Sequence, residues 1–314
     1  MKIFIQVPCL NEEATLPDVL KSIPHIIEGV DEVEILIIDD GSTDRTVEVA
    51  RGLGITHVVR HARNMGLARS FRDGVDYALS HGADIVVNTD GDNQYPQDRI
   101  PDLVRPIVQG RADIVIADRQ TSTIEHFSRF KKLMQRVGSR VVNGAADTDL
   151  PDAASGFRAY SRASLLRLNI VTDFSYTMET IIQAGHKRLR IESVPVVTNA
   201  ETRESRLFKT IYHHMFKSAS AIVRSYLMFK PHVIFLTLTV VFGALALVPF
   251  VRFVVLWVAS DGQGGHVQSL IFGSIMTVAA LLSLSLGVLS DLQRVNRVLL
   301  EDQLERIKEM QYRR

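Results

Sequence analysis

The stretch that decides the fold covers residues 83–94 and reads ADIVVNTDGDNQ. Its first half, ADIVV, is a short apolar run rich in β-branched residues, which predicts a buried strand. Two carboxylates, Asp90 and Asp92, follow this strand with Gly91 between them. In an open α/β sheet, ligands bind outside the carboxyl ends of the strands. Paired carboxylates there suit Mg²⁺ or Mn²⁺, which take oxygen ligands and share them with substrate phosphates, although an ordinary acidic turn has the same composition.

Strand-like and helix-like segments alternate on both sides of this stretch. Further strands are predicted at 3–7, 34–39, 56–60, 113–117 and 189–197, and helices at about 16–27, 43–52, 67–80 and 177–184. This alternation predicts an α/β fold with a doubly wound, largely parallel sheet. Polar clusters follow three of the strands, at 8–12, 39–42 and 90–92, and these clusters should share one rim of the sheet.

Composition limits the classes of protein to which the chain can belong. Its 314 residues leave room for one sizeable domain and a further segment. The formal net charge is +1, from 36 basic and 35 acidic residues, so no overall field indicates a nucleic acid partner. The single cysteine, Cys9, excludes an intramolecular disulfide and a multi-cysteine zinc site, and its place after a strand favours a small buried residue over a nucleophile. We expect no signal peptide, because the N-terminus lacks a basic region followed by a long apolar core.

The last third of the chain indicates a membrane. Residues 206–231 mix apolar and basic side chains, which predicts a basic amphipathic helix lying along an anionic membrane surface. Residues 232–290 contain two apolar runs, each as long as the ~20 residues that cross a bilayer. Lys and Arg flank the outer ends of this pair but are missing from the turn at 260–266, so we expect an integral membrane protein with both termini and the N-terminal α/β domain in the cytoplasm. Residues 291–314 predict an amphipathic helix, suited to packing between protomers or lying on the surface.

Five motifs, in order along the chain, resemble those of family 2 glycosyltransferases of the GT-A fold. They are Val7-Pro8 with Asn11-Glu12, IDDGSTD at 38–44, Arg63-Asn64 with Gly66, Asp90-Gly91-Asp92 with Gln94, and Asp152 with Ser155-Gly156-Phe157-Arg158. With the membrane hairpin, the chain looks most like the polyprenyl-phosphate glycosyltransferases, the group that contains the dolichyl-phosphate mannose synthases. The likeness runs from about residue 2 to residue 207 and implies a catalytic domain at 1–205.

The resemblance implies a role for each matching residue. The implied nucleotide-binding residues are Pro8, Asn11, Glu12, Asp40, Asp90 and Gly91. The implied ligands of Mg²⁺ or Mn²⁺ are Asp90, Asp92 and Gln94. The implied catalytic residues are Asp92, Asp152 and Arg119, of which Arg119 would bind phosphate. The implied residues for the acceptor and its phosphate are Arg129, Lys131, Arg136, Ser139, Arg203 and Arg206, with Arg206 standing where the family has a lysine.

The implied reaction is a metal-dependent, inverting transfer of a sugar from a UDP- or GDP-hexose to polyprenyl phosphate at the cytoplasmic membrane face. A lipid monophosphate has a second pKa near ~6, so it is largely dianionic at neutral pH and is already a nucleophile. The obstacle is the repulsion between two anions, which calls for electrostatic stabilisation rather than a strong base. We therefore expect Asp152 to orient the acceptor or an arginine. The expected partners are the nucleotide-sugar, the lipid acceptor, the membrane and further copies of the chain in a homo-oligomer.

Two alternatives remain open at this point. A processive polysaccharide synthase of the same fold would carry Gln-x-x-Arg-Trp, but the only tryptophan, Trp257, lies inside an apolar run. A catalytically silent membrane scaffold that binds nucleotides would not need the complete set of Asp90, Asp92 and Gln94. Metal-dependent turnover of a nucleotide-sugar would separate an enzyme from such a scaffold.

Overall fold

A computed structural model shows a sheet flanked by helices and two long apolar helices near the C-terminus. It describes residues 1–120, 138–140, 142–144, 146, 148–170, 176–199, 231–260 and 267–313. The strands are β1 (Lys2–Cys9), β2 (Glu32–Asp39), β3 (His57–Arg60), β4 (Ile85–Asn88), β5 (Ile114–Asp118), β6 (Arg158–Ser161) and β7 (Ile191–Pro195). The helices are α1 (Leu16–Ser22), α2 (Thr46–Gly52), α3 (Leu67–Ser80), α4 (Ile100–Val108), α5 (Arg162–Arg167), α6 (Tyr176–His186), α7 (Pro231–Ala259) and α8 (Val267–Gln311), with a 3₁₀ turn at Gln97–Arg99.

In the described part of the chain, seven strands form one sheet in the order β3-β2-β1-β4-β6-β5-β7. All of them run in one direction except β6, which is antiparallel to both of its neighbours, β4 and β5. The predicted α/β class and largely parallel sheet are therefore confirmed, while β6 is a strand that the sequence did not predict. Because β6 is reversed, its first residue, Arg158, pairs with Asn88 near the end of β4 and with Ile116 near the end of β5.

Helices cover both faces of the sheet. On one face, Ile3, Ile5 and Val7 of β1 join a buried cluster with apolar residues of α1 and α4. On the other face, α3 lies directly on β1 and β2. A Cβ atom at Gly74 of α3 would come within 2.4 Å of Gln6 Oε1 and 3.0 Å of Ile38, so a larger residue here would have to displace these side chains. Burial of both faces explains why the strands read as continuous apolar runs rather than as alternating ones.

Helices α7 and α8 are long and apolar enough to cross a membrane. Only 6% and 11% of their most apolar windows is buried, whereas the core helices of a soluble domain would be mostly buried. The two predicted apolar spans are therefore confirmed as helices. Helix α8 continues without a break to Gln311, so the predicted tail helix at 291–314 is continuous with the second span. The predicted interfacial helix at 206–231 lies outside the described residues except for Pro231, the first residue of α7.

The described residues form two compact units, one that contains the sheet and residues 301–313 and one that contains residues 231–260 and 267–300. The end of α8 therefore belongs to the unit that contains the sheet. Lys187 Nζ, just after α6, lies 3.2 Å from Glu301 Oε2, and Arg167 Nε of α5 lies 3.5 Å from Glu305 Oε1. This end of the chain therefore contacts the sheet domain of the same chain.

Candidate active site

The loops that follow β1 and β2 are joined by hydrogen bonds at one rim of the sheet. The Asn11 N–H donates to Ser42 Oγ at 2.9 Å, and Asn11 Oδ1 accepts from the Thr43 N–H at 2.8 Å. Asn11 adopts a left-handed backbone conformation, with φ of +56°, which asparagine tolerates better than most residues. The next residue, Glu12, is buried, and its N–H donates to Thr46 Oγ1 at 2.9 Å. These bonds fix Asn11 and Glu12 beside the end of β1, where Pro8 pairs with Ile38.

Asp40 is buried just after β2 and accepts hydrogen bonds from the loop that follows β3. Its carboxylate receives the N–H groups of Met65 at 2.7 Å and Gly66 at 2.9 Å. His61 Nδ1 lies 2.7 Å from Asp40 Oδ1, and the other ring nitrogen lies 3.2 Å from Asp73 of α3. Sequence reasoning assigned no role to His61, because its two partners lie 21 and 12 residues away and leave no local pattern. The carboxylate of Asp40 is thereby held in one orientation at the rim.

Gly41 allows the loops after β2 and β3 to approach each other. It has φ of +80°, and a Cβ atom there would lie 2.5 Å from the carbonyl carbon of Arg63. Both the backbone conformation and the space exclude any other residue. The glycine of the predicted IDDGSTD motif therefore brings the segment containing Arg63 and Asn64 against the rim.

The two carboxylates after β4 lie at the same rim. Burial raises the pKa of Asp90 to about 7, and the neighbouring carboxylates of Asp92 and Glu12 add to the shift while Arg119 opposes it. Asp92 Oδ1 accepts from the Gln94 N–H at 3.1 Å, so the turn after Gly91 holds this carboxylate in place. A Cβ atom at Gly91 would lie 3.0 Å from Cys9 Sγ and 3.3 Å from Glu12 Cγ, which explains how closely this turn packs on the end of β1.

Cys9 is a buried packing residue in this arrangement. Its side chain is 2% exposed, and burial raises the pKa of the thiol well above its usual value. A thiol in that state is a poor nucleophile. The sequence-based preference for a small buried residue over a nucleophile agrees with this environment.

The acidic pair fits a divalent cation that is shared with a substrate. The Asp92 carboxylate contributes to the raised pKa of Asp90, so a positive charge between the two side chains would stabilise both in their ionised form. Among the described residues, no group of three or more His, Cys, Asp and Glu side chains is placed to hold an ion. A cation at Asp90 and Asp92 would therefore need oxygen ligands from a diphosphate, water or an amide such as that of Gln94.

Arg119 and Asp152 form a two-pronged ion pair beside the acidic turn. Arg119 follows β5, and its Nε and Nη2 atoms donate to the Asp152 carboxylate at 2.7 and 3.0 Å. The two side chains are 19% and 3% exposed, so the pair is largely shielded from water. Burial acts to raise the pKa of Asp152, but the hydrogen bonds and charge of Arg119 outweigh it and lower that pKa below its usual value. Asp152 is therefore an ionised partner of Arg119 and a weak base.

Arg158 holds the loop that carries Asp152. It is the last residue of the predicted Ser-Gly-Phe-Arg motif, and no role was predicted for it. It is fully buried in β6, and its guanidinium donates to the carbonyls of Ser155, Ala153 and Thr177 and to Thr180 Oγ1, at 2.7–2.9 Å. Two of these carbonyls lie within three residues of Asp152. The buried arginine thus replaces, for an irregular loop, the backbone partners that a regular element would supply.

Tyr95 and Asn88 connect the acidic turn to the same loop, and neither was predicted as a site residue. The Gly156 N–H donates to the Tyr95 hydroxyl at 3.0 Å, and the Tyr95 ring stacks on Phe157 at 5.1 Å. Asn88 Nδ2 donates to the Gly156 carbonyl at 2.9 Å. An asparagine at the end of an otherwise apolar strand is the one sequence signal that could have indicated this network, because a buried amide needs hydrogen-bond partners.

The predicted residues for the acceptor fall mainly outside the described part of the chain. These are Arg129, Lys131, Arg136, Arg203 and Arg206. Ser139 is described, and its Oγ accepts from the Ala153 N–H at 3.4 Å, next to Asp152. The described residues thus bring together Pro8, Asn11, Glu12, Asp40, Asp90, Gly91, Asp92, Gln94, Arg119, Ser139 and Asp152 around the carboxyl ends of β1, β2, β4 and β5 and the start of β6.

Comparison with known proteins gives a family for this arrangement. The sequence model of glycosyl transferase family 2 matches residues 4–168. The dolichyl-phosphate hexose transferase of Haloferax volcanii is 29% identical over 63% of this chain and 82% of its own length. The dolichol-phosphate mannosyltransferase of Pyrococcus furiosus is 30% identical over 68% of this chain, which spans 62% of that protein. Among solved structures, the chain is similar to glucosyl-3-phosphoglycerate synthase from Mycobacterium tuberculosis, crystallised with Mn²⁺, UDP and phosphoglyceric acid. The TM-score is 0.54 at 22% identity, and the match covers 72% of this chain and 77% of that one. This likeness shows the shared fold.

Proposed function

The chain belongs to glycosyl transferase family 2 and is a glycosyltransferase, and we propose that it transfers a hexose from UDP or GDP to polyprenyl phosphate with inversion at the anomeric carbon. A phosphate oxygen of the lipid forms a bond to the anomeric carbon, while the bond from that carbon to the nucleoside diphosphate breaks. The bonding electrons leave with the diphosphate. No proton needs to be removed from a dianionic phosphate, so the reaction balances without a general base.

One observation carries this proposal: a pair of carboxylates lies beside a shielded arginine–aspartate pair at a single rim. Asp90 and Asp92 are suited to a cation on the diphosphate, and Arg119 is suited to a phosphate oxygen. An enzyme that joins two anions needs both kinds of group. A simple nucleotide-binding scaffold needs neither a cation nor an arginine held in place by a buried carboxylate.

We assign the cation to Asp90, Asp92 and Gln94, as Mg²⁺ or Mn²⁺. When bound, it would supply positive charge to the departing diphosphate. The chain's own residues orient the reactants: Asp152 holds Arg119 in a fixed direction through two hydrogen bonds, so that Arg119 presents positive charge without reorganising during the reaction. Asp152 is in this proposal a positioning residue for Arg119 rather than a base.

We assign the nucleoside to Pro8, Asn11, Glu12 and Asp40, at the ends of β1 and β2. The hydrogen bonds from the loop after β3 leave the Asp40 carboxylate held in one orientation before any ligand arrives. Such preorganisation lowers the entropy cost of binding. The acceptor would approach from the side of Ser139 and Asp152, toward Arg129, Lys131, Arg136, Arg203 and Arg206.

We propose that α7 and α8 insert in the membrane as a hairpin and that the catalytic domain, at 1–205, faces the cytoplasm together with both termini. Two apolar helices support membrane association. The turn at 260–266 has no Lys or Arg, whereas Arg294 and Arg297 follow the second apolar run, which is the charge bias expected for cytoplasmic ends.

The decisive experiment incubates the purified full chain with polyprenyl phosphate, Mg²⁺ or Mn²⁺ and a panel of UDP- and GDP-sugars, and identifies the glycolipid by mass. We expect one or a few donors to give polyprenyl-phosphate-sugar only when the metal is present. Asp92→Ala should abolish transfer and leave the fold intact. Transfer at the wild-type rate in that variant would rule out the metal assignment, and turnover of no donor at all would favour the scaffold.

A further inference from the structure

The segment that follows strand β7 contacts two loops of the site. The Val196 N–H, directly after β7, donates to the carbonyl of Asp118 at 2.8 Å, and Asp118 is the residue before Arg119. Three residues later, Asn199 reaches the turn that carries Asp92 and Gln94. The segment 196–199 therefore bridges the arginine side and the acidic side of the site.

Asn199 makes three hydrogen bonds to three consecutive residues of the acidic turn. Its backbone N–H donates to the Gln94 carbonyl at 2.9 Å. Its side-chain amide donates to the Asn93 carbonyl at 3.0 Å, and lies 3.4 Å from the Tyr95 carbonyl. A turn of this kind has no ladder of its own to satisfy these carbonyls, so a single asparagine supplies the donors.

The turn is irregular and includes a left-handed residue. Asn93 has φ of +60°, a conformation that asparagine tolerates better than most residues. The next N–H, that of Gln94, donates to the Asp92 carboxylate, so the orientation of Asp92 follows from the backbone at 93–95. Loss of the Asn199 donors would let this backbone relax and would spread Asp92 over several orientations.

We propose that Asn199 is a positioning residue for the cation site, holding the turn 92–95 in the geometry that binds the metal. The inference rests on the proposed function, because it assumes that Asp92 binds a divalent cation.

The test measures Mn²⁺ binding to the full chain in detergent by electron paramagnetic resonance, with no substrate present. Asn199→Ala should weaken Mn²⁺ binding about three- to tenfold, since it removes the side-chain donors to the Asn93 and Tyr95 carbonyls that hold the turn. Asn199→Gln keeps the amide on a longer chain and should recover part of the affinity. Val197→Ala, two residues away with a side chain 79% exposed, is the matched control and should bind Mn²⁺ as the wild type does.

Hydrogen exchange provides a second readout that does not need the metal. The amides of 93–95 should exchange several-fold faster in Asn199→Ala than in the wild type or in Val197→Ala. Wild-type Mn²⁺ affinity and unchanged exchange in Asn199→Ala would overturn the inference, as would equal weakening in Val197→Ala. If the wild type itself binds no Mn²⁺, the metal in the proposed function falls, and the exchange rates alone then decide whether Asn199 holds the turn.

Discussion

Asp152 separates two mechanisms at the level of a single residue. If it were the general base, Asp152→Asn would remove the base and cost about 10²–10⁴-fold in rate. In the structure it is ionised and paired with Arg119, with a pKa below its usual value. We therefore expect Asp152→Asn, which keeps the shape and part of the hydrogen bonding, to lower kcat by only about tenfold, and the pH profile to keep its form.

Steady-state kinetics with the lipid acceptor between pH 6 and 9 would check this expectation. Asp152→Ala serves as the contrasting variant, because it removes the hydrogen bonds to Arg119 as well as the charge. Loss of one member of a shielded pair lowers the free energy of unfolding by about 3–5 kcal/mol. A pH profile that loses its rising limb in Asp152→Asn would contradict the positioning role.

The pKa of Asp90 predicts how metal binding depends on pH. Its value of about 7 lies above the ordinary 3.8 because the ionised form is disfavoured by burial and by Asp92. Between pH 3.8 and about pH 7, Asp90 therefore keeps a proton in the folded apo chain and loses it in the unfolded chain. The free energy of unfolding consequently decreases as pH rises through that window. A cation needs the ionised form, so Mn²⁺ affinity should rise with pH up to about 7 and then level off.

Mn²⁺ titrations at several pH values from 5.5 to 8 would measure this dependence. Below pH 7 the affinity should change by up to tenfold per pH unit, since one proton competes with the cation. Asp90→Asn should bind weakly and without this slope. A flat wild-type profile would contradict the combination of a raised pKa at Asp90 and its binding of the metal.

Three of the site residues that the sequence predicted share one property. Asp40, Asp90 and Asp92 directly follow apolar strands, and the rule that parallel strands end at a common rim brings them together. His61, Tyr95 and Asn199 escaped prediction because each acts through backbone groups or side chains far away in the sequence. Single polar residues in loops carry no periodic signal, so only the folded chain reveals their partners.

At the scale of elements, the reversed strand β6 explains how an irregular loop comes to lie beside the acidic turn. Its first residue, Arg158, uses its donors on the loop that carries Asp152 and on α6. Arg158→Lys keeps the charge but cannot make the same forked set of bonds, so we expect a loss of about 3 kcal/mol in the free energy of unfolding, with a fall in activity.

Denaturant unfolding of the full chain would measure this loss. Arg190→Lys is a suitable control, because Arg190 also forms a two-pronged pair, with Asp113, but its side chain is 58% exposed. Exposed pairs contribute little to stability, because solvent screens them. Equal effects of the two substitutions would mean that burial of Arg158 contributes nothing special to the loop.

Elements with a strong local pattern were predicted well, and short or composite ones were not. Helix α3 begins and ends where the sequence indicated, because its apolar face repeats at helical spacing over 14 residues. Strand β6 has four residues and begins with an arginine, so nothing marks it as a strand before its burial is known. The change from apolar to amphipathic character near Asp291 predicted a new helix, yet no glycine or proline follows Gly287 in this stretch and α8 continues to Gln311.

For the whole molecule, the end of α8 predicts a contribution of the C-terminus to the stability of the catalytic domain. Lys308 Nζ donates to the Leu168 carbonyl at 2.8 Å, and the Tyr312 hydroxyl donates to Asp76 of α3 at 3.1 Å. Arg162 donates to the carbonyl of Tyr312. With the Lys187–Glu301 and Arg167–Glu305 pairs, these bonds tie the last turns of the chain to α3, α5 and α6.

Removal of residues 309–314 should therefore lower the melting temperature of the catalytic domain, although the deleted segment is far from the site in sequence. Tyr312→Phe isolates one of these bonds and should cost about 1 kcal/mol. Arg313→Ala, at an exposed position next to Tyr312, should cost nothing measurable and is the control for the deletion.

A charge exchange between Lys187 and Glu301 tests the pairing itself: each single reversal should destabilise the domain, and the double variant should recover most of the loss. A double variant as unstable as the sum of the two singles would show that Lys187 and Glu301 do not interact with each other, and single variants as stable as the wild type would show that this contact contributes nothing to the stability of the domain.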